Sequence, residues 1–151
     1  MPVSWREFLC EGIDFPVWVS SAGEVRIGAR TITQSNGHKV YSRIAPARYL
    51  HPVRNSSGYF QVKIHSHGKY WRFYIHRLVA LLFVENPRNL DEVDHLDGDK
   101  SNNAAGNLKW VTRAENMAKC RKDNPHILQN LKHYRSHACL DDVYNAPPNR
   151  H

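Results

Sequence analysis

The sequence predicts an α+β fold: a small N-terminal antiparallel β-sheet module, then a strand–loop–strand–helix core, then a C-terminal helix. Short β-type runs separated by turn residues fill the first fifty-odd positions. A strict alternation of apolar and polar residues follows, and it changes to helical spacing at Ile75. With 151 residues, 41% of them apolar, the chain can bury one modest core or two small ones.

The N-terminal β-type runs are separated by residues that favour turns. Asn36-Gly37 lies between two of them and is a strong hairpin signal, because both residues tolerate positive φ. The pattern therefore predicts a small antiparallel sheet. Its runs cover residues 17–19, 25–27, 31–34 and 39–44, with a further turn at Ser21-Ala22-Gly23.

Residues 57–74 are predicted to form a two-stranded ribbon. Phe60, Val62 and Ile64 alternate with polar neighbours, and the alternation resumes after a turn at 66–68. A period of two gives the ribbon one apolar and one polar face. A β-ribbon fits the DNA major groove, although the polar face is also compatible with an ordinary solvated sheet. The predicted nucleic-acid contacts on the ribbon are Gln61, Lys63, His65, Lys69 and Arg72.

A helix is predicted from Ile75, because the apolar run 78–83 is too continuous for a surface strand. Its circumference should be mostly buried, and the Asn-Pro pair at 86–87 should end it. His76 and Arg77 open this helix and are further predicted DNA contacts. The alternative is that their stems only cover apolar surface.

The most informative segment follows. Two apolar runs, around Val93 and at 108–111, flank a loop rich in Asp, Gly and Asn, which predicts two strands joined by an irregular turn. Asp94-His95 places a carboxylate beside an imidazole at the start of that loop. Such a pair alone is also typical of a solvated turn.

A helix is predicted directly after the second run. Thr112 and Glu115 have the T-x-x-E spacing of a capping box, in which each side chain satisfies a backbone N–H of the first turn. Asn116 then lies about one turn into the helix. A helix folded across the strand pair would bring Asn116 and Asp94 to one spot, with His95 beside it.

These residues resemble the HNH nuclease motif. Asp94-His95, Asn107 and Asn116 have the spacing of the variant in which Asn replaces the last His, as in phage intron-encoded HNH homing endonucleases. The predicted helix from Ile75 resembles the helix that leads into this motif. Residues 18–26 are similar to a short module often found in front of such nucleases. The resemblance covers about residues 58–122 and implies a ββα-metal nuclease core.

The resemblance also implies a function, that of a metal-dependent, sequence-preferring DNA endonuclease of the homing type. Asp94 and Asn116 would hold one divalent cation, Mg²⁺ or Mn²⁺, because hard cations prefer oxygen ligands. His95 would be the general base, since an imidazole with a pKa of about 6.5 suits neutral pH. Asn107 would bridge the loop and orient His95. One such site cuts one strand, so a monomeric nickase is expected, with a dimer as the alternative.

Composition agrees with this expectation. The formal net charge is +7, which favours an anionic partner because Lys and Arg that neutralise phosphates release counterions. Double-stranded DNA is the expected partner; neither a membrane nor an obligate protein partner is indicated. Two alternatives stay open: an inactive DNA-binding protein on the same fold, and an RNA-binding module that stacks bases on Tyr and His.

The predicted organisation has four segments. They are a DNA-binding β-rich module at 1–56, the ribbon at 57–74, the nuclease core with its lead-in helix at 75–123, and a basic helix over 125–138 with a tail, within 124–151. The start lacks a basic leader before an apolar stretch, so a cytoplasmic location is expected, in a bacterial host if the gene is phage-encoded. Reduced thiols are expected at Cys10, Cys120 and Cys139, and no complete metal pattern joins Cys139 to His133 and His137.

Overall fold

The computed structural model describes residues 2–123. The predicted C-terminal helix over 125–138 therefore lies outside the described residues, as do His133, His137 and Cys139. The strands in chain order are β1 (Trp5–Phe8), β2 (Val17–Ser20), β3 (Val25–Ile27), β4 (Arg30–Ser35), β5 (Val40–Ala45), β6 (Arg48–Tyr49), β7 (Val53–Arg54), β8 (Phe60–Ser66), β9 (Lys69–Tyr74), β10 (Glu92–His95) and β11 (Leu108–Val111). The two α-helices are α1 (Ile75–Phe83) and α2 (Arg113–Asp123), and a 3₁₀ turn (Ala105–Asn107) precedes β11.

The N-terminal sheet has the order β1-β2-β3-β6 and is antiparallel, as predicted. Its inward side chains from β2 and β3 are fully buried: Val17, Val19, Val25 and Ile27. The turn between these strands is held by Ser20, whose Oγ accepts a hydrogen bond from the backbone N–H of Glu24 at 2.9 Å. Strand β1 was not predicted, because its sequence, Trp-Arg-Glu-Phe, has no clear alternation.

The hairpin around Asn36-Gly37 is present as β4 and β5, which pair from Arg30↔Ala45 to Ser35↔Val40. Its turn differs from the expected two-residue Asn-Gly turn. The loop has four residues, Gly37 alone takes a positive φ of 87°, and the Asn36 side chain accepts hydrogen bonds from the backbone N–H groups of His38 and Lys39. Most side chains along both strands are exposed.

The predicted ribbon is confirmed as β8 and β9, with pairing from Gln61↔Tyr74 to Ser66↔Lys69. The turn between the strands has positive φ at both central residues, His67 at 48° and Gly68 at 73°, as in a type I′ hairpin. The ribbon is wider than predicted. The short strand β7 pairs with β8 and makes a three-stranded sheet.

Helix α1 begins at Ile75 as predicted and ends at Phe83, three residues before Asn86. The expected burial of most of its circumference is only partly correct, because Leu81 is 61% exposed. The buried side of α1 joins a single apolar core with the N-terminal sheet, β8, β10 and β11. Within residues 2–123, no helix has the length and apolarity needed to cross a membrane.

The predicted strand–loop–strand–helix unit is present. Strands β10 and β11 pair antiparallel, with Asp94 opposite Lys109 and His95 opposite Leu108. The capping box at the start of α2 is fully formed: the Thr112 N–H donates to Glu115 Oε2 at 2.8 Å, and the Glu115 N–H donates to Thr112 Oγ1 at 3.2 Å. The helix therefore begins where the sequence predicts.

Candidate active site

Strand β10 presents different chemistry on its two faces. Successive side chains of a strand point to opposite faces, so Glu92 and Asp94 share one face while Val93 and His95 share the other. Val93 and His95 are buried in the interior, whereas Glu92 and Asp94 are only partly buried. The carboxylates and the imidazole of the predicted site thus leave the strand on opposite sides.

Helix α2 lies over the carboxylate face. Asn116 Nδ2 donates to Glu92 Oε2 at 2.6 Å. One turn further along, Lys119 Nζ lies 3.0 Å from both carboxylate oxygens of Asp94 and also donates to the His95 carbonyl oxygen. Asn116 and Lys119, three residues apart on α2, thus contact Glu92 and Asp94, two residues apart on β10. Asp94 and Asn116 therefore lie on one face, as predicted, although each has another partner there.

This face has the chemistry of a cation site. Asp94 and Glu92 supply carboxylate oxygens, and Asn116, which donates from Nδ2 to Glu92, adds an amide oxygen of the same ligand type. The ammonium of Lys119 on Asp94 shows that the carboxylate already attracts a positive charge. Among residues 2–123, no group of three or more His, Cys, Asp and Glu side chains is arranged to hold a metal ion. A hard divalent cation fits an oxygen set of this kind, completed by water or phosphate oxygens.

His95 is held on the interior face and is only 4% exposed. Its Nε2 lies 3.1 Å from Asn103 Oδ1. Its ring contacts those of His76, with centroids 5.2 Å apart, and Tyr59, with centroids 6.1 Å apart. Asp94 and Asn116 therefore share one side of β10, while period-two alternation places the ring of the adjacent His95 on the other side of the strand.

His76 requires a correction. It was predicted to contact DNA at the start of α1, but it is 2% exposed and packs against the rings of Tyr59, Tyr74 and His95. Burial, assisted by electrostatic interaction with the neighbouring His95, Arg77 and Lys100, lowers the pKa of His76 to about 3. His76 is thus a neutral part of the wall behind His95 and does not lie on a free surface.

Asn107 ties the ends of the loop together. Its Oδ1 accepts from the Asp97 backbone N–H at 3.2 Å, and its Nδ2 donates to Asp97 Oδ1 at 2.9 Å and to the Asn102 carbonyl at 2.8 Å. Hydrogen bonds from Asn107 and Asn102 lower the pKa of Asp97. This geometry fits the predicted bridging role, in which Asn107 acts on the site by fixing the loop that follows His95.

Four of the five predicted DNA contacts on the ribbon are exposed. Lys63 and Arg72 are directly opposite each other across β8 and β9. Gln61 is partly buried at the end of the ribbon next to α1. Outside the ribbon, Arg77 donates from Nη1 to the Asp91 carbonyl oxygen at 3.1 Å, so its guanidinium also holds the protein's own backbone. The four exposed residues are Lys63, His65, Lys69 and Arg72.

Three residues of the site were not predicted. Glu92 had a detectable signal, because it stands two residues before Asp94 and must share its face of the strand. Lys119 had a similar signal, since it stands one helical turn after Asn116. Asn103 had no such signal. Asn is frequent in turns because its side chain hydrogen-bonds to nearby backbone, so Asn103 could not be distinguished from the other Asn residues of the loop.

Part of this chain matches known endonucleases in sequence. The sequence profile of the family described as HNH endonuclease matches residues 73–118. The DNA endonuclease I-HmuI of Bacillus phage SP01 is 39% identical over 83 residues, which cover 55% of this chain and 47% of the relative. An uncharacterised HNH endonuclease of Acanthamoeba polyphaga mimivirus is 40% identical over 79 residues, 52% of this chain and 24% of the relative.

A solved structure, described as DNA binding and cleavage by the HNH homing endonuclease I-HmuI, matches with a TM-score of 0.57 and 27% identity. The match covers 85% of this chain and 66% of that one, so it includes most of the sheets that precede the motif. The chain spans between about a quarter and a half of the length of these curated relatives. The matched residues include Asp94, His95, Asn107 and Asn116 in the ββα unit. Residues 73–118 therefore match the HNH endonuclease family, and the chain is similar to HNH homing endonuclease I-HmuI in sequence and in fold.

Proposed function

We propose that this protein is a metal-dependent DNA endonuclease of the homing type, which hydrolyses one phosphodiester at the end of β10, with Asp94 and Asn116 on one side of the strand and His95 on the other. The observation that carries the proposal is the position of Asp94 and Asn116 on one face of a ββα unit that matches the HNH family. The relative from phage SP01 is named as a DNA endonuclease. DNA is accordingly the substrate class that we assign.

The proposed cation ligands are the Asp94 carboxylate and the Asn116 amide oxygen. A bound Mg²⁺ or Mn²⁺ would supply Lewis-acid stabilisation of the phosphate and of the departing 3′-oxygen. Asn116 is positioned for this role by the capping box, which fixes the start of α2, and by its bond to Glu92. Lys119 holds Asp94 in place and must give up part of that contact when the carboxylate binds a cation.

We assign His95 as the general base that takes a proton from the attacking water. Packing against Tyr59 and His76 limits the orientations of the ring, so the imidazole is fixed before substrate binds. Asp94 is unsuited to this task, because a carboxylate that binds a cation is a poor proton acceptor. A positioned base commonly contributes about 10² to 10⁴ in rate.

The distribution of charge supports duplex DNA as the partner. Residues 25–84 contain ten Lys and Arg and no Asp or Glu, so this region accounts for more than the whole net charge of +7. Most of these cations are exposed on β3 to β9 and their loops. A surface of this kind meets phosphates without local repulsion, and its affinity should fall steeply with salt. The exposed set is Arg26, Lys39, Arg43, Arg48, Arg54, Lys63, Lys69 and Arg72.

The hairpin of β4 and β5 is a second candidate DNA-contacting element beside the ribbon of β8 and β9. Its strands are six residues long, most of their side chains are exposed, and Lys39 and Arg43 project from it. A two-stranded β-ribbon has the width of the DNA major groove. We propose that both ribbons grip the duplex while the ββα unit cuts it, and that one copy of the chain nicks one strand.

Cleavage of supercoiled plasmid tests this function. The substrate should carry candidate target sequences, and the reactions should compare Mg²⁺ or Mn²⁺ with EDTA and wild type with His95→Ala. Open circles made only by the wild type with metal are the expected result. Linear product would replace the single-nick assignment by a paired enzyme. Tight duplex binding without metal-dependent cleavage would instead identify an inactive DNA-binding protein.

A further inference from the structure

Asn103 is a buried polar residue that contacts the proposed base. It is 7% exposed, and its Oδ1 lies 3.1 Å from His95 Nε2. We propose that Asn103 is a positioning residue that fixes the tautomer of His95, with the proton on Nε2 and the lone pair on Nδ1. The inference rests on the proposed role of His95 and deepens it, since it names the nitrogen that acts as the base.

The orientation of the Asn103 amide follows from its second contact. Asn103 Nδ2 lies 3.2 Å from the backbone carbonyl oxygen of Ser101. A carbonyl oxygen only accepts hydrogen bonds, so the amide must direct its NH₂ group to Ser101 and its oxygen to His95. An inverted amide would place two acceptors together at Ser101. The amide has therefore one favourable orientation.

That orientation decides the state of the imidazole. Asn103 Oδ1 is an acceptor, so His95 Nε2 must donate and must carry a hydrogen. A neutral imidazole has one N–H, which leaves the lone pair on Nδ1. The opposite tautomer would set a lone pair on Nε2 against the amide oxygen inside a buried site, where such a contact is costly. Nδ1 is therefore the nitrogen that can accept a proton from water.

Asn103 is itself supported by the N-terminal sheet. Gly23, in the turn between β2 and β3, has a φ of 94°, and a Cβ atom built there would lie 3.0 Å from Asn103 Cβ. The same turn receives a backbone hydrogen bond, from Ala105 N–H to the Ser21 carbonyl at 2.8 Å. A segment 80 residues away in sequence thus fixes the residue that orients the base.

The tautomer can be read directly by long-range ¹H–¹⁵N correlation NMR on protein labelled at histidine, without DNA or metal and at about pH 8, where free imidazole is neutral. His95 signals are assigned by their loss in His95→Ala. Wild type should show a protonated Nε2. Asn103→Leu has no acceptor oxygen and should give a mixture or the opposite tautomer. Protonation at Nδ1 in the wild type, or an unchanged tautomer in Asn103→Leu, would overturn the inference.

Cleavage rates separate this inference from the proposed function. Asn103→Leu should lose about 10²-fold or more in cleavage, because a wrong tautomer disables a base that is otherwise in place. Amide dispersion in the same NMR spectra confirms that the variant is folded. If His95→Ala is inactive but folded Asn103→Leu cleaves at the wild-type rate, the inference fails and the nuclease stands. If the wild type cuts no DNA, the proposed nuclease function is wrong. The NMR measurement of the His95 tautomer still tests the role of Asn103.

Two matched glycine substitutions test whether the N-terminal turn supports Asn103. Gly23→Ala adds a methyl group against Asn103 Cβ and Ile75 Cγ2, and Gly37→Ala adds one at a similar φ of 87° where no atom lies within 4 Å. Both substitutions strain the backbone to a comparable degree. Only Gly23→Ala should disturb the His95 tautomer. An undisturbed His95 in that variant would show that Asn103 is held by its own loop alone.

Discussion

Residues 25–84 and 85–123 are adjacent in the chain but opposite in their charge. The first region has ten Lys and Arg and no carboxylate, whereas the second has eight Asp and Glu beside seven Lys and Arg. The first forms β3 to β9 and α1, and the second forms β10, β11 and α2. Carboxylates repel phosphates, but a hard cation requires oxygen ligands. Under the proposed function, this difference places the DNA-binding surface and the cleavage site in different parts of the fold.

A change in residues 25–84 should alter affinity for DNA and its salt dependence, and a change at β10 or α2 should alter cleavage of bound DNA. The shared apolar core, which joins both regions, is what keeps the two surfaces in a fixed relation.

Asp94→Asn should have the largest effect. The amide has no charge with which to hold a divalent cation, so metal-dependent cleavage should fall by at least about 10²-fold. Affinity for duplex DNA in EDTA should be unchanged or slightly higher, since one negative charge is removed. Glu85→Gln is the matched control, because it removes an exposed carboxylate that is not a proposed cation ligand. Equal losses of binding and cleavage in Asp94→Asn would break the division.

The double variant Lys63→Gln and Arg72→Gln removes two cations that face each other across the ribbon. Each phosphate contact contributes about 0.9 to the slope of log affinity against log salt, so the slope should become shallower by about 2. Cleavage of saturated DNA should stay near the wild-type rate. Arg88→Gln, outside the basic region, should leave the slope unchanged. Fluorescence anisotropy over a salt series measures both variants.

His76 should make stability depend on pH. Its pKa is about 3 in the folded protein and about 6.5 when free, so between these values the unfolded chain binds more protons. The stabilising effect of neutral, buried His76 is complete above pH 6.5 and is lost as pH falls towards 3. Urea unfolding gives the free energy of unfolding at pH 7 and at pH 4. Between these pH values it should fall by on the order of 3 kcal/mol less for His76→Phe than for wild type. Identical losses in both proteins would place His76 in a hydrated environment.

The capping box should give the smallest effect. Thr112→Ala removes the side chain that caps Glu115 N–H, which should cost about 1 kcal/mol and lower Tm by about 2–4 °C. Thr112→Ser keeps the hydroxyl and should stay close to wild type. Because α2 presents Asn116, cleavage should decline with helix stability while affinity for DNA does not. A Tm unchanged in Thr112→Ala would mean that packing alone determines where α2 begins.

Local patterns were sufficient to predict much of this fold. The alternation over β8 and β9, the T-x-x-E spacing before α2 and the apolar run of α1 each act within a few residues, and the structure has all three elements. The turn at Asn36 was predicted in position but not in type, because its side chain bonds to two backbone N–H groups and stabilises a longer loop. Strand β1 was not predicted, because it is a strand through its pairing with β2 and its own sequence has no strand pattern.

The site was less predictable, because its contacts join residues distant in sequence. The bond between Asn103 and His95, the burial of His76 and the ion pair between Lys119 and Asp94 all depend on how α1, β10 and α2 pack. Period-two alternation does predict that adjacent Asp94 and His95 leave β10 on opposite faces. Applied to the motif, that rule places His95 next to Asp94 in sequence but on the other side of the strand.

The most direct test of the separation measures affinity and cleavage on one duplex for two variants side by side. Asp94→Asn and the double variant Lys63→Gln and Arg72→Gln would each be assayed for Kd in EDTA and for the rate of strand nicking of fully bound DNA with Mg²⁺. We predict that Asp94→Asn loses the rate and keeps the Kd, and that the double variant weakens the Kd and keeps the rate. Parallel loss of both quantities in both variants would show that binding and cleavage share one surface, contrary to this account.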